Sequence, residues 1–326
     1  MMYFGAHGEV FTVKLPSFPH LEPLRLSHQA ILANYTSAYP PYSDYTFASL
    51  WCWDVERKIE LADLYGNLVI KFSDYTTGEP FYTFYGQNQV NLALDTLFEF
   101  ILEQKDIQQA VRLVPEHFMK SIQVLPNYEI AEDPDNHDYI YRIVELSALR
   151  GKKYDSFRGH LNRFLKSYHG NFKLLDLTDA HTWQTLLQFN AHWQTQKEHD
   201  ENDVSNDMTA VERLREIAAY QSWLAVGVYI DGILRAYSIN EFQDDYAICL
   251  FTHADKDFKG IYHFIDWQVL KWLHERGLVY WNLQQDLGIS GLRTAKQLYR
   301  PAFFLKKYTA TRKSDAVTDS FFMRSE

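Results

Sequence analysis

In the segment SGLRTAKQLYR, Arg293, Lys296 and Arg300 recur at intervals of three and four, and a helix there gathers them on one face with Leu292, Ala295 and Tyr299 on the other. Arg293 offers two parallel N–H donors to an oxyanion, whereas Lys296 acts as a compact point charge. A second basic stretch, RGKKYDSFRGHLNRFLK, supplies Lys152, Lys153 and Arg158 as an opposing wall. Asn282, Gln285 and Tyr299 border the first stretch and complete the candidate substrate-binding set. The chemistry these residue types predict is capture of a phosphate or another anion. Asp286 stands beside them, either as a proton acceptor or as the cap of the turn at Gly288. His160 and His253 are further candidate bases. His192, His199 and Asp200 form no tetrahedral ligand pattern, since the histidines are seven apart and run into an acidic stretch, so no metal is expected.

The net charge of −10 argues against indiscriminate binding to nucleic acid. Its distribution is uneven: segment 289–313 has seven basic residues and no acid, and segment 150–166 has six basic residues and one aspartate. Such a chain can present a positive cleft within a negative body, or merely two solvated basic faces. With 326 residues, 46% hydrophobic and 16% aromatic, it is expected to fold as two globular domains. It contains no apolar run approaching the roughly 18 residues of a membrane span and no signal peptide, which points to the cytoplasm. Cys52 and Cys249 sit in apolar runs and read as buried, reduced thiols. Alternating aromatics such as FYTFY read as core rather than as base-stacking platforms.

The elements that must position these residues follow from periodicity. Residues 1–44, with five prolines, read as an arm with one short helix. A first domain over 45–149 begins with a hairpin turning at Tyr65-Gly66-Asn67, continues through strand FYTFYG, helix QVNLALDTLFEFILEQ, strand AVRLVP and helix PEHFMKSIQ, and closes with strand DYIYRIVEL. A second domain over 150–326 opens with a helix whose Tyr154, Phe157, Leu161, Phe164 and Tyr168 share one face. After a polar loop, KEHDENDVSND, come a hairpin at Asp231-Gly232, strand DDYAICLFTHAD, helix GIYHFIDWQVLKWLHERG, strand LVYWNL, helix SGLRTAKQLY and strand AFFLKKYTAT. The two halves repeat one order over about 150 residues. That order builds a mixed sheet whose ligands collect where central strands part.

This order resembles the Gcn5-related N-acetyltransferase fold in tandem. The blocks DYIYRIVELSALRGKKYDSFRGHLNRF and NLQQDLGISGLRTAKQLYRPAFFLKKY, with Asp286-Leu287-Gly288, Gly291-Leu292-Arg293 and Lys296, resemble the phosphatidylglycerol lysyltransferase C-terminal domain family. The resemblance implies an α+β fold of two acetyltransferase-like (acyl-CoA N-acyltransferase) domains, each a mixed sheet flanked by helices. It also implies transfer of an aminoacyl or acyl group, with the active site in the second domain. The sequence departs from the family pattern at Leu283-Gln284, where Arg-Glu is usual, around Arg158, where Phe157 and Gly159 replace Lys and Asn, and at His253, which replaces a Glu.

Within that frame the acyl carrier needs an anion site at a helix start. The matching loop is Asp257-Phe258-Lys259-Gly260-Ile261-Tyr262, in which Lys259 and Gly260 are the candidate cofactor-binding residues. Asp257 and the Tyr262 ring stand against coenzyme A as the carrier. Three readings stay open. One is a transferase using aminoacyl-tRNA, with a phospholipid headgroup or small amine as acceptor and only transient membrane contact. Another is a silent module binding an anionic small molecule, a lipid headgroup, a nucleotide or a tRNA acceptor end. The third is N-acetylation from acetyl-CoA.

Overall fold

The computed structural model of the chain describes residues 14–122, 126–197 and 206–313. Its strands are β1 (Glu22–Pro23), β2 (Glu60–Leu64), β3 (Asn67–Ser73), β4 (Pro80–Tyr85), β5 (Val111–Pro115), β6 (Tyr128–Glu132), β7 (Asp138–Arg142), β8 (Asn171–Leu174), β9 (Trp223–Ile230), β10 (Ile233–Gln243), β11 (Tyr246–Ala254), β12 (Tyr280–Asn282), β13 (Phe303–Leu305) and β14 (Lys307–Arg312). Its helices are α1 (Gln29–Thr36), α2 (Phe47–Trp53), α3 (Val90–Leu102), α4 (Glu116–Ile122), α5 (Ile143–Ala148), α6 (Asp155–Ser167), α7 (Ala180–Lys197), α8 (Asp207–Ile217), α9 (Ile261–Glu275) and α10 (Ser290–Leu298).

The chain forms two units, each an α+β arrangement of one mixed sheet with helices. The first comprises residues up to Leu50, Glu56–Asn136 and the segment from Lys306; the second comprises Trp51–Val55 and His137–Leu305. The first sheet has the order β1-β2-β3-β4-β5-β14-β6 and the second β13-β7-β12-β11-β10-β9-β8. Each contains a tight hairpin, β2–β3 or β9–β10, whose two turn residues take positive φ: Tyr65 and Gly66 at 55° and 82°, Asp231 and Gly232 at 51° and 79°. Each also contains one parallel pair, β4–β5 or β11–β12, joined through a helix, α3 or α9.

The sequence places the domain division at 149/150, whereas the contacts divide the chain after Asn136, and the reason is an exchange of strands. β7 joins the second sheet between β12 and β13, and β14 holds the corresponding place in the first sheet between β5 and β6. The stretch DYIYRIVEL is not one strand, since it becomes helical at Ile143. AFFLKKYTAT is likewise two strands, separated at Lys306 and belonging to different sheets. The greater part of the KEHDENDVSND loop lies outside the described residues. Among the described residues, no helix is long and apolar enough to cross a membrane.

The core of the second unit lies between its sheet and α5, α6 and α9. Tyr154, Phe157, Leu161 and Phe164 are buried as the helical spacing predicts, and Tyr168 is half-buried. They meet Ile261, Phe264, Ile265, Val269, Leu270 and Leu273, which recur along α9 at the same period. Cys52 and Cys249 are free and buried, and burial pushes the Cys249 thiol up to about 11.

Candidate functional site

β11 and β12 pair through Tyr246–Tyr280, Ala247–Trp281 and Ile248–Asn282. β12 then ends while β11 continues to Ala254, so the strands part. Gln284, in the left-handed region at φ 59°, spans the opening and donates Nε2 to the Cys249 carbonyl at 2.7 Å. Asn282 is fully buried, accepting from the Gln284 amide and donating to Asp138 Oδ2 at 3.1 Å. Asn282 thus shapes the chain at the splay. Gln285 is buried, and its carbonyl accepts from Lys296.

Within α10 the predicted faces are inverted, although Tyr299 and Arg300, just past its end, are buried and exposed as the spacing predicts. Leu292 and Ala295 are exposed, whereas Arg293 and Lys296 are half-buried and directed at acceptors of their own unit. Arg293 clamps Asp286 with Nε to Oδ2 and Nη2 to Oδ1, both at 2.8 Å. Asp286 is wholly buried and also accepts from the Tyr139 hydroxyl at 2.5 Å and the Gly288 amide at 2.9 Å. Burial pushes its carboxyl up, but the Arg293, Tyr139 and Gly288 donors outweigh it and hold the group below its ordinary range. The turn-capping alternative for Asp286 is therefore present in the geometry, and both oxygens are engaged. Lys296 donates to the carbonyls of Leu283, at 2.7 Å, and Gln285.

The opposing wall is occupied in the same way. Arg158 donates to the carbonyls of Leu149 and Gly151 and pairs with Asp155. Lys153 pairs with Glu145 at 2.7 Å, and Lys152 is exposed. Tyr299 is buried, with its hydroxyl on Asp266 at 2.6 Å. Arg158, Arg293 and Lys296 thus each bind protein acceptors.

His253 is a core residue, 5% exposed, stacked on Trp193 at 3.8 Å. Its Nδ1 lies 2.8 Å from the Tyr237 hydroxyl and 3.2 Å from Asn190 Oδ1, and its Nε2 is 3.8 Å from Asp207. It is enclosed too completely to meet a substrate. His192 approaches Asp255 at 3.7 Å, while His199 and Asp200 lie outside the described residues.

His160, Lys259 and Gly260 do converge. With Lys256, Phe258, Ile261, Tyr262 and His263 they line a pocket of about 160 Å³ at the start of α9. Asp257 is not among the lining residues. Asp255 builds the turn beneath: its Oδ1 accepts the Asp257 amide at 3.1 Å, and Oδ2 binds Arg235, whose guanidinium lies 4.9 Å from the Phe258 ring centre. Gly260 takes φ 90°, and a Cβ there would stand 2.2 Å from the His160 carbonyl oxygen, so its bareness serves the close approach of α6. The His160 and His263 rings stack at 4.5 Å. Burial, and next the nearby His160, push His263 down to about 4, and its buried Nε2 has no partner. Two exposed lysines, a neutral imidazole and the start of a fifteen-residue helix stand around a pocket whose own lining is mostly apolar, and Lys259 Nζ donates to the Lys256 carbonyl at 3.3 Å.

Sequence reasoning placed Phe258 and Tyr262 in this loop but missed Lys256, His263 and Asp266. The basic residues flanking Gly260 signalled the first of these, but the meeting of His160 with His263 depends on the packing of α6 against α9. The corresponding loop of the first unit, before α3, is filled by a side chain of β3: Asn67 Oδ1 accepts the Asn88 amide at 2.9 Å and Asn67 Nδ2 donates to the Asn88 carbonyl at 2.8 Å.

The family model described as phosphatidylglycerol lysyltransferase, C-terminal, matches residues 36–311. The chain belongs to this family. A protein of unknown function from Bacteroides thetaiotaomicron is similar in structure, with a TM-score of 0.77 and 22% identity over 90% of this chain and 99% of that one. L-PGS from Bacillus licheniformis gives a TM-score of 0.60 at 13% identity, over 94% of this chain and 95% of that one. At such identities these likenesses show the fold alone. An uncharacterized protein of Mycoplasmoides gallisepticum is 23% identical over 175 residues, which are 52% of this chain and 54% of that protein. The chain thus spans about half the length of this curated relative.

Gly159, exposed in the middle of α6, has nothing within 4 Å of a Cβ built on it. Gly159→Ala is expected to raise stability by about 0.5–1 kcal/mol, because glycine loses more backbone entropy in a helix. Urea denaturation checks this; a lower midpoint would show that the bare position is needed.

Proposed function

We propose that the chain transfers an aminoacyl group from transfer RNA to an amine or hydroxyl acceptor. The phosphate-bearing end of the donor would sit in the pocket at the start of α9, and the acceptor would enter where β11 and β12 part. Membership in a lysyltransferase family supports the reaction class. The observation that carries the location is the pocket itself, with Lys256, Lys259 and two histidines around the start of α9.

The acceptor oxygen or nitrogen would attack the ester carbonyl carbon, the bond to the ribose oxygen would break, and the acceptor proton would pass to that oxygen. His160, exposed and lining the pocket, is the group suited to carry the proton. Asp286, already holding Arg293 with both oxygens, would shape the splay. A phospholipid headgroup and a small amine are the acceptor classes to try.

Incubation with charged transfer RNA and each acceptor class tests the reading. Lys256→Glu with Lys259→Glu is expected to raise the donor KM by about tenfold or more, as two cations near a phosphate become anions. Transfer with an unchanged donor KM would remove the pocket from the reaction. The engagement of both Asp286 oxygens favours a second reading, ligand binding without turnover. Donor binding with no transfer to any acceptor would support it, with acetyl-CoA run as the comparison donor.

A further inference from the structure

Asp266 is a buried titratable group to which the site as described gives no role. It lies on α9 three residues after His263, so the two share a face, with Asp266 about one turn beyond the pocket lining. Among the described residues its carboxyl has one hydrogen bond, from the Tyr299 hydroxyl to Oδ2 at 2.6 Å. The Tyr299 ring connects the two levels, 5.6 Å from His263 and 4.8 Å from Phe157 of α6.

The titratable groups facing Asp266 are Tyr299, Tyr141 of β7, Cys249 of β11 and Tyr262 of α9 itself, with His263 against the Tyr299 ring. α6 adds His160 behind the His263 ring, and α5 meets α9 where Ser147 accepts from the Trp267 indole at 3.1 Å. Among the described residues no cation pairs with Asp266. A buried carboxyl with one neutral donor is costly to ionise. Burial accordingly pushes it up to about 7, against the opposing effect of the Tyr299 hydrogen bond.

We infer that the ionisation of Asp266 governs how tightly the pocket at the start of α9 holds a phosphate group. A neutral Asp266 adds no charge to a rim in which Lys256 and Lys259 already flank the exposed Asp257, and an ionised Asp266 repels an anion from one turn beyond the pocket lining. The inference rests on the proposed reading of the pocket as the donor-phosphate site. Across about two helical turns, roughly 10 Å, with an effective dielectric of about 20, a new unit charge weakens a singly charged anion by roughly tenfold. By reciprocity the anion draws a proton onto Asp266 as it binds, so loading of the donor is coupled to proton uptake near neutrality.

Sulfate, whose charge is constant over the relevant range, is the probe. Its Kd for the full chain is read from the imidazole resonances of His160 and His263 at pH 6 and pH 8. Wild type is expected to bind about tenfold more weakly at pH 8. Asp266→Asn should lose most of this weakening at pH 8. Tyr299→Phe loses the hydroxyl that favours the carboxylate, so it should move the midpoint of the transition to higher pH. Equal pH dependence in wild type and Asp266→Asn, or an unmoved midpoint in Tyr299→Phe, overturns the inference while leaving the pocket reading intact. Absence of sulfate binding to wild type at both pH values, or binding indifferent to Lys256→Glu with Lys259→Glu, overturns the pocket reading and this inference with it.

Discussion

Gly260→Ala is expected to destabilise the second unit by about 3 kcal/mol or more. Two costs add. The backbone stands at φ 90°, where an L side chain is strained by roughly 1–2 kcal/mol. The new Cβ would also stand 2.2 Å from the His160 carbonyl oxygen, a backbone atom that moves only if α6 moves. Overpacking of that kind costs typically about 1–3 kcal/mol. Because α6 carries His160 and α9 carries His263, relief of the clash must disturb their stacking as well. Denaturant unfolding measures the first effect and the imidazole resonances report the second. A loss under about 1 kcal/mol with unshifted resonances would mean that α6 and α9 are less closely apposed than described.

Lys307→Ala is the substitution expected to do most harm to the first unit. Lys307 and Asp44 are both fully buried, and the ammonium lies against Asp44 Oδ2 while the Tyr75 hydroxyl donates to Oδ1 at 3.0 Å. Removing the lysine leaves a buried carboxylate without its cation, which costs about 3–5 kcal/mol in comparable pairs. Lys307→Met together with Asp44→Leu removes both charges and should restore most of the loss, because replacing a whole buried pair by apolar volume is often close to neutral. Thermal or urea unfolding distinguishes the variants. If the double variant is no better than Lys307→Ala, the damage comes from packing rather than from the stranded charge.

The basic run at 289–313 was visible in composition, but its partners were not. In the second unit Arg293 goes to Asp286, Lys296 to two carbonyls, and Arg300 to the Lys153 carbonyl at 3.4 Å. In the first unit Lys306 pairs with Glu132 at 3.0 Å and Lys307 with Asp44. Helical spacing correctly separates the two faces of α10 but cannot say which faces inward, and here three carbonyl and carboxylate acceptors outcompete Leu292 for the interior. Elements with strong local periodicity, such as α3, α6, α9 and the two glycine hairpins, were legible because their hydrogen bonds close within a few residues. The allotment of β7 and β14 was not, since strand pairing joins residues far apart in sequence. The pocket at the start of α9 was half legible: Lys259, Gly260 and His160 were singled out, whereas the characters of His263 and Asp266 depend on burial against α6 and Tyr299.

The exchange of β7 and β14 also fixes an order of assembly. The first sheet lacks its sixth strand until residues 307–312 have been synthesised, so β5 and β6 wait, with open edges, through the whole of the second unit's emergence. The second unit has every strand it needs once Leu305 is made. During translation the later half is therefore able to complete its sheet before the earlier one, and a chain cut short at Leu305 would lose β14 and with it the attachment of β6 to the first sheet, while retaining all the residues around the start of α9.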